Sequence, residues 1–477
     1  MNRIQFITGL FSLCVIPAMM AATALNVTQF GAKGDGVTDD YAALQAAATA
    51  VCKTPGATLL FPPGTYRIAR HRVVGGANKN TTKDIQYINC SGVTISGYGA
   101  KIDVQGNFAR NPDVYPTSAY AVSYDEGIIP FYMLNSTGFT ISGFELDGNV
   151  DQMSRSPIVI EGMNAGVLTR NCNNYQLTDL YVHHFHTDGI SLGHGSMVAD
   201  TAATLTNITA KNNARQGLSV LQVRGANIVN SLFSDTGVTG SYGMHAPGAG
   251  VDVEPERTTP AVDQKTGLIV FTNCRFEENL GSQFISSVPA RVESVTVRNS
   301  VIRATRTGAD PAAYLNAAAT SVNTGNTFYL AAQKAIVLGP TTAVHYPSLV
   351  QATYSGNTIQ AADRFGIYPP IQYAPVDFSG NIVNVTPAAP EKAFLMIANI
   401  NRAASNTFNL AASGYAGSTG TLPYAIVYMG VKTVTGNQYT TNLASPKSFY
   451  TIYYGPGMQV SSEAFLTGTT FKALTVQ

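Results

Sequence analysis

Three short phrases in the middle of the chain repeat one pattern, in which a glycine is followed by strictly alternating apolar and polar residues. Aligned on the glycine, they are Asp188-Gly189-Ile190-Ser191-Leu192, Gln216-Gly217-Leu218-Ser219-Val220 and Ala249-Gly250-Val251-Asp252-Val253. Because side chains alternate along a strand, the two apolar columns lie on one side and the column Ser191, Ser219 and Asp252 lies on the other. Stacked strands of this kind bury their apolar columns as a continuous core. The pattern predicts a parallel β-helix with Asp252 and Glu254 together on its outer wall.

The charge balance excludes several classes of partner. The 477 residues carry a formal net charge of +1, and only 12% of them are charged. Such a chain has no electrostatic footprint for nucleic acid or for an acidic membrane surface. The 44 glycines favour many short strands joined by turns. No linker-like or charge-rich tract divides the sequence, so we predict one all-β domain over 25–477.

Residues 1–24 have the pattern of a secretory signal peptide. Arg3 supplies the positive start, Ile7 to Met20 form the apolar run, and Ala22-Thr23-Ala24 resembles a cleavage site. The apolar run is too short to span a bilayer as a helix. We therefore expect a secreted or periplasmic protein without membrane insertion. Four cysteines remain after the signal, and their wide spacing favours buried free thiols over two disulfides: Cys52, Cys90, Cys172 and Cys274.

The start of the mature chain carries a specific pair of motifs. The run from Phe30 to Asp40, FGAKGDGVTDD, leads into an Ala-rich helix predicted over 39–52, and the run from Phe61 to Tyr66, FPPGTY, follows it. This opening resembles that of the rhamnogalacturonase/epimerase-like branch of the pectate lyase superfamily. The resemblance covers about residues 25–70. It implies a single right-handed parallel β-helix, capped by the helix near its N-terminus, and it leaves a homotrimer open as the assembly.

Two further segments fit this architecture. Gly-Asn or Ser-Asn pairs recur in the C-terminal half, and we interpret their asparagines as a structural ladder at a coil corner: Asn326, Asn357, Asn381, Asn406 and Asn437. The stretch from Asn107 to Pro130 interrupts the coil pattern and is rich in tyrosine. We predict that it is a long loop whose Tyr124 closes over bound sugar.

The carboxylates of the middle coils are the strongest candidates for chemistry. Asp252 and Glu254 are two residues apart on one predicted strand, which separates their α-carbons by roughly 6.5 to 7 Å. Paired carboxylates at such distances can act as acid and base, or as acid and nucleophile, in glycoside cleavage. Asp188 and Arg215 come from neighbouring coils and are assigned assisting and substrate-orienting roles. The alternatives are a structural ion pair of Glu254 with Arg215 or Arg224, and a calcium site.

A second resemblance concerns Asp188 itself. His186-Thr187-Asp188-Gly189 is similar to the Asn-Thr-Asp-Gly phrase of family 28 glycoside hydrolases, whose Asp is catalytic, and Gly193-His194-Gly195 resembles that family's Gly-His-Gly. The family's Asp-Asp pair is replaced here by Arg215-Gln216-Gly217, and its Arg-Ile-Lys is absent. We therefore do not transfer that mechanism. Asp188 stays a catalytic candidate, and His194 stays a weaker candidate for binding substrate.

The run His183-His184-Phe185-His186 invites a zinc interpretation. Alternation would place His184 and His186 on one side of a strand, but no third ligand with zinc-type spacing follows. We predict no metal ligand here, and a polar strand end instead.

The function predicted from these observations is polysaccharide hydrolysis without a cofactor. Asp252 and Glu254 form the catalytic pair, Asp188 assists, and substrate is bound by Arg215, His194, Arg224 and Tyr124. The first alternative is a lyase or uronan epimerase in which Arg215 is the base and calcium or Arg224 neutralises the uronate. The Tyr-Gly-Phe-Asp-Pro-His signature of bacterial mannuronan epimerases is absent. The second alternative is a glycan-binding or adhesive β-helix without catalysis.

Overall fold

The computed structural model describes the β-helix as a set of coils joined by turns. The described residues are 23–69, 84–105, 124–125, 128–152, 161–162, 164–240, 242–255, 265–286, 291–306, 312–331, 335–337, 351–362, 365–368, 376–386, 394–398, 400–410, 425–429, 431–441, 449–454, 458–461, 464–465 and 471–476. The predicted signal peptide falls outside them up to residue 22, and most of the predicted loop of 107–130 also lies outside. The first strand begins at Ala24, one residue before the predicted start of the domain.

The strands form two long parallel sheets. Sheet I takes one strand from each coil: Gln86–Ile88, Phe131–Leu134, Val167–Arg170, Asp188–Leu192, Gln216–Val220, Ala249–Val253, Phe284–Ser286, Ala312–Asn316, Ala335–Val337, Phe365–Tyr368, Phe394–Ala398, Ala425–Met429, Phe449–Tyr454 and Phe471–Val476. Every pair of neighbours in this sheet runs parallel, which is the geometry that the glycine-aligned phrases predict.

Sheet II takes one long bent strand or two short strands from each coil: Ala24–Asn26, Asp35–Asp39, Thr58–Leu60, Gly64–Ile68, Thr94–Val104, Thr140–Asp147, Asn173–His183, Asp200–Lys211, Val223–Val229, Leu232–Ser234, Gly267–Thr272, Arg275–Glu277, Ser294–Arg298, Val301–Ala304, Thr320–Thr324, Thr327–Leu330, Gln351–Ser355, Thr358–Ala361, Val376–Ser379, Ile382–Val385, Arg402–Ala404, Thr407–Leu410, Thr433–Thr435, Gln438–Thr441, Gln459–Ser461 and Ala464–Phe465. Tyr124–Asp125 and Glu161–Gly162 form a separate short pair. Two 3₁₀ turns cover Val27–Phe30 and Val150–Gln152.

The register of sheet I confirms the predicted columns. Ile190 pairs with Leu218 and Leu218 pairs with Val251, and all three side chains are fully buried in the core. In the adjacent column Ser219 pairs with Asp252. The apolar columns of both sheets thus meet in one core that runs along the coil axis.

The helix covers the N-terminal end of this core and confirms the predicted cap. It spans Tyr41–Cys52 and buries one face through Leu44, Ala47, Ala48 and Val51. The Gln45 side chain accepts a hydrogen bond from the backbone N–H of Gln86 at 2.9 Å and donates one to its carbonyl at 3.2 Å. The helix therefore occupies the place of a missing neighbour at the edge of sheet I, where unpaired backbone would invite association.

The helix begins two residues later than predicted. Asp35–Asp39 is a strand paired with Gly64–Ile68, and it delays the first turn. Asp40 does not cap the helix with its side chain. Its carboxylate accepts hydrogen bonds from the backbone of Lys33 at 2.6 Å and Gly34 at 3.1 Å instead, because the glycine-rich turn presents those donors to it.

The prediction that all four cysteines are free was wrong for two of them. Cys52, the last residue of the helix, forms a disulfide with Cys90, and their α-carbons are 4.2 Å apart. Cys172 and Cys274 are free and buried. The helix packs over the coil that holds Cys90, a contact that the separation of 38 residues in sequence does not reveal.

The predicted asparagine ladder is present. Asn381 is buried, and its Oδ1 accepts hydrogen bonds from the backbone N–H of Asn357 at 3.0 Å and from its Nδ2 at 2.9 Å. Its own Nδ2 donates to Oδ1 of Asn406 at 3.0 Å and to the Tyr354 carbonyl at 2.9 Å. Asn326, Asn406 and Asn437 continue the same pattern. Each asparagine thus joins two coils at a corner where the preceding residue, such as Gly380, has a positive φ.

No helix among the described residues has the length and apolar character needed to cross a membrane.

Candidate functional site

Four of the predicted residues meet on three neighbouring strands of sheet I. Asp188 opens the strand Asp188–Leu192, Arg215 precedes the strand Gln216–Val220, and Asp252 lies in the strand Ala249–Val253, which Glu254 follows directly. We call Asp188, Arg215, Gln216, Asp252 and Glu254 the Asp252 site.

Arg215 and Asp188 form a bidentate ion pair. Nε of Arg215 donates to Oδ1 of Asp188 at 2.8 Å, and its second nitrogen, Nη2, donates to Oδ2 at 2.7 Å. The Asp188 side chain is 3% exposed and that of Arg215 is 17% exposed. The carboxylate of Asp188 therefore has its charge compensated by two charge-assisted hydrogen bonds.

Asp252 has a different environment. Nε2 of Gln216 donates to its Oδ2 at 2.8 Å, and both side chains are buried. The pKa of Asp252 is raised well above its ordinary value, first by burial and second by the negative charge of Glu254. Asp188 raises this pKa further, whereas Arg215 and the Gln216 hydrogen bond lower it. The net direction of these effects favours the neutral form of the carboxyl group.

The predicted exposure of this column was wrong. Ser191, Ser219 and Asp252 alternate with the core residues as expected, but all three are buried. Alternation determines the side of the strand on which a side chain lies. Whether that side chain contacts solvent depends on the groups that pack over that side. Glu254 is exposed, because it lies one residue beyond the strand end.

Gln216 is the member of the site that sequence reasoning missed. It pairs in register with Asp188 on one side and with Ala249 on the other, which brings its amide to the next coil. The available signal was its position within Arg215-Gln216-Gly217, the phrase that replaces an acidic pair in the family 28 pattern.

The remaining predicted residues do not join this cluster. Arg224 lies in the strand Val223–Val229 of sheet II, and its Nη1 contacts Oε2 of Glu293 at 2.5 Å. This ion pair replaces the suggested pair with Glu254, because the turn after Val220 carries Arg224 onto the other sheet.

His194 follows the strand Asp188–Leu192 and is half-buried, with its backbone N–H bonded to the Thr169 carbonyl at 3.0 Å. Tyr124 has its backbone paired with Glu161, and its side chain lies outside the described residues.

The histidine run is not the alternating strand that the zinc interpretation assumed. His183 ends the strand Asn173–His183, and His184 has a φ of 54° at the turn that follows. His186 instead lies buried against Tyr242 and His245, with ring centroids 5.1 and 4.8 Å away. The left-handed residue at 184 breaks the alternation, so His184 and His186 do not share a side.

Comparisons with known proteins agree with the fold. Residues 24–242 match the model of the family described as rhamnogalacturonase A/epimerase, pectate lyase-like, and residues 165–359 match that of the right-handed beta helix region. Mannuronan C5-epimerase AlgE1 of Azotobacter vinelandii is 33% identical over 132 residues, which are 27% of this chain and 8% of that protein. Alginate lyase 7 of the same organism is 54% identical over 44 residues, 9% of this chain and 5% of that protein. The matched segments thus span less than a tenth of these curated relatives.

Two solved structures are similar to the chain at low identity. The surface adhesin PfbA of Streptococcus pneumoniae is 13% identical with a TM-score of 0.44, covering 94% of this chain and 93% of that one. The family 28 exopolygalacturonase of Yersinia enterocolitica is 12% identical with a TM-score of 0.36, covering 95% and 78%. At these scores neither likeness bears on function. Over residues 24–242 the chain is therefore similar to the rhamnogalacturonase A/epimerase, pectate lyase-like family, and its fold is a right-handed parallel β-helix.

Proposed function

We propose that the chain hydrolyses a polysaccharide at the Asp252 site. The observation that carries this proposal is the contrast between two carboxyl groups next to each other on one coil. Asp252 is buried with a raised pKa, whereas Glu254 is exposed. When the environments of two nearby acids separate their pKa values, the acid with the higher pKa can act as general acid and the other can act as base or nucleophile.

In this mechanism Asp252 donates its proton to the glycosidic oxygen as the C–O bond to the anomeric carbon breaks. Glu254, in its ionised form, either takes a proton from the attacking water or attacks the anomeric carbon itself. The separation of the two carboxyl groups around the bound sugar decides which of these outcomes occurs. Gln216 positions Asp252, and the Arg215–Asp188 pair provides a fixed cation and its counter-charge beside the acid.

The relatives support a polysaccharide substrate. Two of the curated proteins that match are by name an alginate lyase and a mannuronan C5-epimerase, and alginate and mannuronan are polymers of sugar acids. The bidentate contact of Arg215 is occupied by Asp188, so the preference for an acidic substrate rests on these relatives. We therefore place acidic polysaccharides first among the substrates to be tried.

A uronan lyase or epimerase is the second candidate, and the identity to the mannuronan epimerase favours it. The version in which Arg215 is the base is weakened by the geometry. A guanidinium that donates two hydrogen bonds to Asp188 is held in its protonated form. The calcium version is weakened as well, because Asp252 is stabilised as a neutral acid and accepts an amide hydrogen bond on Oδ2.

A product assay separates these functions. Purified protein is incubated with a panel of acidic and neutral polysaccharides, with and without calcium, and reducing ends, near-ultraviolet absorbance and sugar stereochemistry by NMR are recorded. We expect reducing ends without absorbance. Asp252→Asn should lower this rate by about 10²- to 10⁴-fold, the usual contribution of a general acid.

The matched control is Asp377→Asn, which removes a partly exposed carboxylate paired with Arg402 on a distant coil. It should leave the rate unchanged. Unsaturated products would show that the reaction is β-elimination and not hydrolysis. Sugars with a changed configuration at C5 and no chain cleavage would identify an epimerase. Retained binding with no change in any substrate would support the adhesive alternative.

A further inference from the structure

A second cluster of side chains lies where two stacked coils turn from sheet II towards sheet I. Asp147 ends the strand Thr140–Asp147 and pairs in register with His183, which ends the next strand. Their turns are packed closely, since a Cβ on Gly148 would lie 2.5 Å from the carbonyl oxygen of His184. We call Asp147, His183 and His184 the histidine cluster.

Three potential ligand atoms converge in this cluster. Nδ1 of His183 is 2.7 Å from Nδ1 of His184. Oδ1 of Asp147 is 3.6 Å from the first nitrogen and 3.9 Å from the second. Two ring nitrogens at such a distance hold at most one proton between them. At least one of the two nitrogens therefore carries a lone pair, which accepts the hydrogen bond between the rings and is the electron pair a metal ion would use.

A neighbouring carboxylate fixes the orientation of one ring. Oε1 of Glu145 lies 3.3 Å from Nε2 of His183. A proton on Nε2 satisfies this contact and leaves Nδ1 of the same ring unprotonated, as a metal ligand must be. In metal sites, a carboxylate commonly accepts a hydrogen bond from the ring nitrogen that does not bind the metal, and this bond orients the imidazole. The ring of Tyr181 stacks on His183 with the centroids 4.2 Å apart and restricts its rotation.

The charges around the cluster leave room for a cation. Lys101 contacts Oδ2 of Asp147 at 2.7 Å and Oε1 of Glu145 at 3.2 Å. The lysine contacts Oδ2 of Asp147, whereas Oδ1 of the same carboxylate is the oxygen near the two histidine nitrogens. When the histidines are neutral, the ammonium of Lys101 offsets only one of the two carboxylates, and these three groups keep one net negative charge.

We propose that Asp147, His183 and His184 bind a divalent transition-metal cation of the Zn²⁺ type. Two imidazoles and one carboxylate suit zinc, cobalt, nickel or copper, and they do not suit calcium or magnesium, which take oxygen ligands. Zn–N bonds of about 2.0 to 2.1 Å place tetrahedral ligand atoms roughly 3.3 Å apart. Binding therefore requires the two histidine nitrogens to separate by roughly half an ångström while Asp147 approaches slightly.

The site would brace the turn that leads into the Asp252 site. His184 precedes Asp188 by four residues, and the backbone of the turn is otherwise held by hydrogen bonds such as that from Val150 N–H to the His184 carbonyl at 2.8 Å. A cation would join two coils at this position. The inference does not depend on the proposed hydrolysis, because metal binding is measured without any substrate.

Calorimetric titration of the chelator-treated full chain with Zn²⁺, Co²⁺ and Ca²⁺ tests the proposal. We expect one equivalent of Zn²⁺ to bind with proton release, Co²⁺ to bind with a visible absorption spectrum typical of nitrogen and oxygen ligands, and Ca²⁺ to leave this site empty. His184→Gln should weaken zinc binding at least tenfold, and Glu145→Gln should weaken it by about 10- to 100-fold through His183.

Two further variants separate a metal site from a simple ion-pair network. Lys101→Met removes the competing cation and should tighten zinc binding, whereas a structural network would only lose stability. His194→Gln makes the same chemical change outside the cluster and should bind zinc as the wild type does. The proposal is overturned if wild type and His184→Gln bind zinc equally, or if calcium competes at equal concentration. Circular dichroism of each variant establishes that it is folded.

Discussion

Gln216 and Asp252 are joined by a hydrogen bond of 2.8 Å between neighbouring coils, and both side chains are buried. The bond connects the strand that follows Arg215 to the strand that carries the proposed general acid. It holds a carboxyl group whose burial and whose neighbour Glu254 both favour the neutral form. The protonation state of Asp252 is therefore the property from which the first prediction follows.

The stability of the fold should depend on pH through Asp252. The pKa of this group is raised in the folded protein, so the folded chain holds the proton more tightly than the unfolded chain does. The resulting stabilisation is fully present below the unfolded pKa of about 3.9 and is lost as the pH rises through the folded pKa. Urea unfolding of wild type and Asp252→Asn across this range should show a decline that the variant lacks. Parallel curves for the two proteins would contradict the raised pKa.

The same group should set the basic limb of the activity profile. If Asp252 is the general acid, kcat/KM falls as the pH rises through its pKa. Glu254→Gln removes the like charge that raises this pKa. Whatever residual activity the variant retains should therefore decline at a lower pH than in the wild type. A basic limb that does not move in the variant would show that another group controls it.

The Arg215–Asp188 pair should contribute strongly to stability. Removing Arg215 leaves a buried carboxylate without its partner, so Arg215→Ala should cost about 3 to 5 kcal/mol of unfolding free energy. Arg224→Ala is the matched control, because its ion pair with Glu293 is about a third exposed on both sides. It should cost about 0 to 1 kcal/mol. Urea denaturation measures both, and equal losses would show that burial of the pair does not matter.

The asparagine ladder should stabilise the C-terminal coils. Asn381→Ala removes hydrogen bonds to both neighbouring coils and leaves buried backbone groups unpaired, such as the N–H of Asn357. We expect a loss of about 1 to 3 kcal/mol for each group left unpaired. Asn384→Ala is the control, because Asn384 is half-buried and, among the described residues, its side chain accepts one hydrogen bond, from Asn409 at 2.7 Å. Similar melting temperatures for the two variants would argue against the ladder.

The cysteines should fall into two chemical classes. Replacing Cys52 and Cys90 by serine should cost about 2 to 4 kcal/mol, since the disulfide restricts the unfolded chain. Burial raises the pKa of the Cys172 thiol to about 12 and that of the Cys274 thiol to about 11. Neither thiol should react with an alkylating reagent near neutral pH until the protein unfolds. Mass spectrometry after alkylation locates the labels, and rapid native labelling of Cys172 would contradict its burial.

The alternation and spacing of short motifs were enough to predict the coil architecture. The columns through Ile190, Leu218 and Val251, the helix ending at Cys52 and the ladder through Asn381 all depend on local periodicity and turn chemistry, which the sequence contains directly. The assignment of Asp188 and Arg215 to neighbouring coils followed from the same columns. Stacking then placed them in contact.

Other features depended on contacts between coils that no periodicity encodes. The burial of Asp252, its bond to Gln216 and the placement of Arg224 on the second sheet follow from how turns and neighbouring side chains pack. The same holds for the disulfide to Cys90. In the histidine cluster, Asp147 lies 36 residues from His183 in sequence and one coil away in space. A third ligand supplied by the preceding coil becomes visible only when the register between the coils is known.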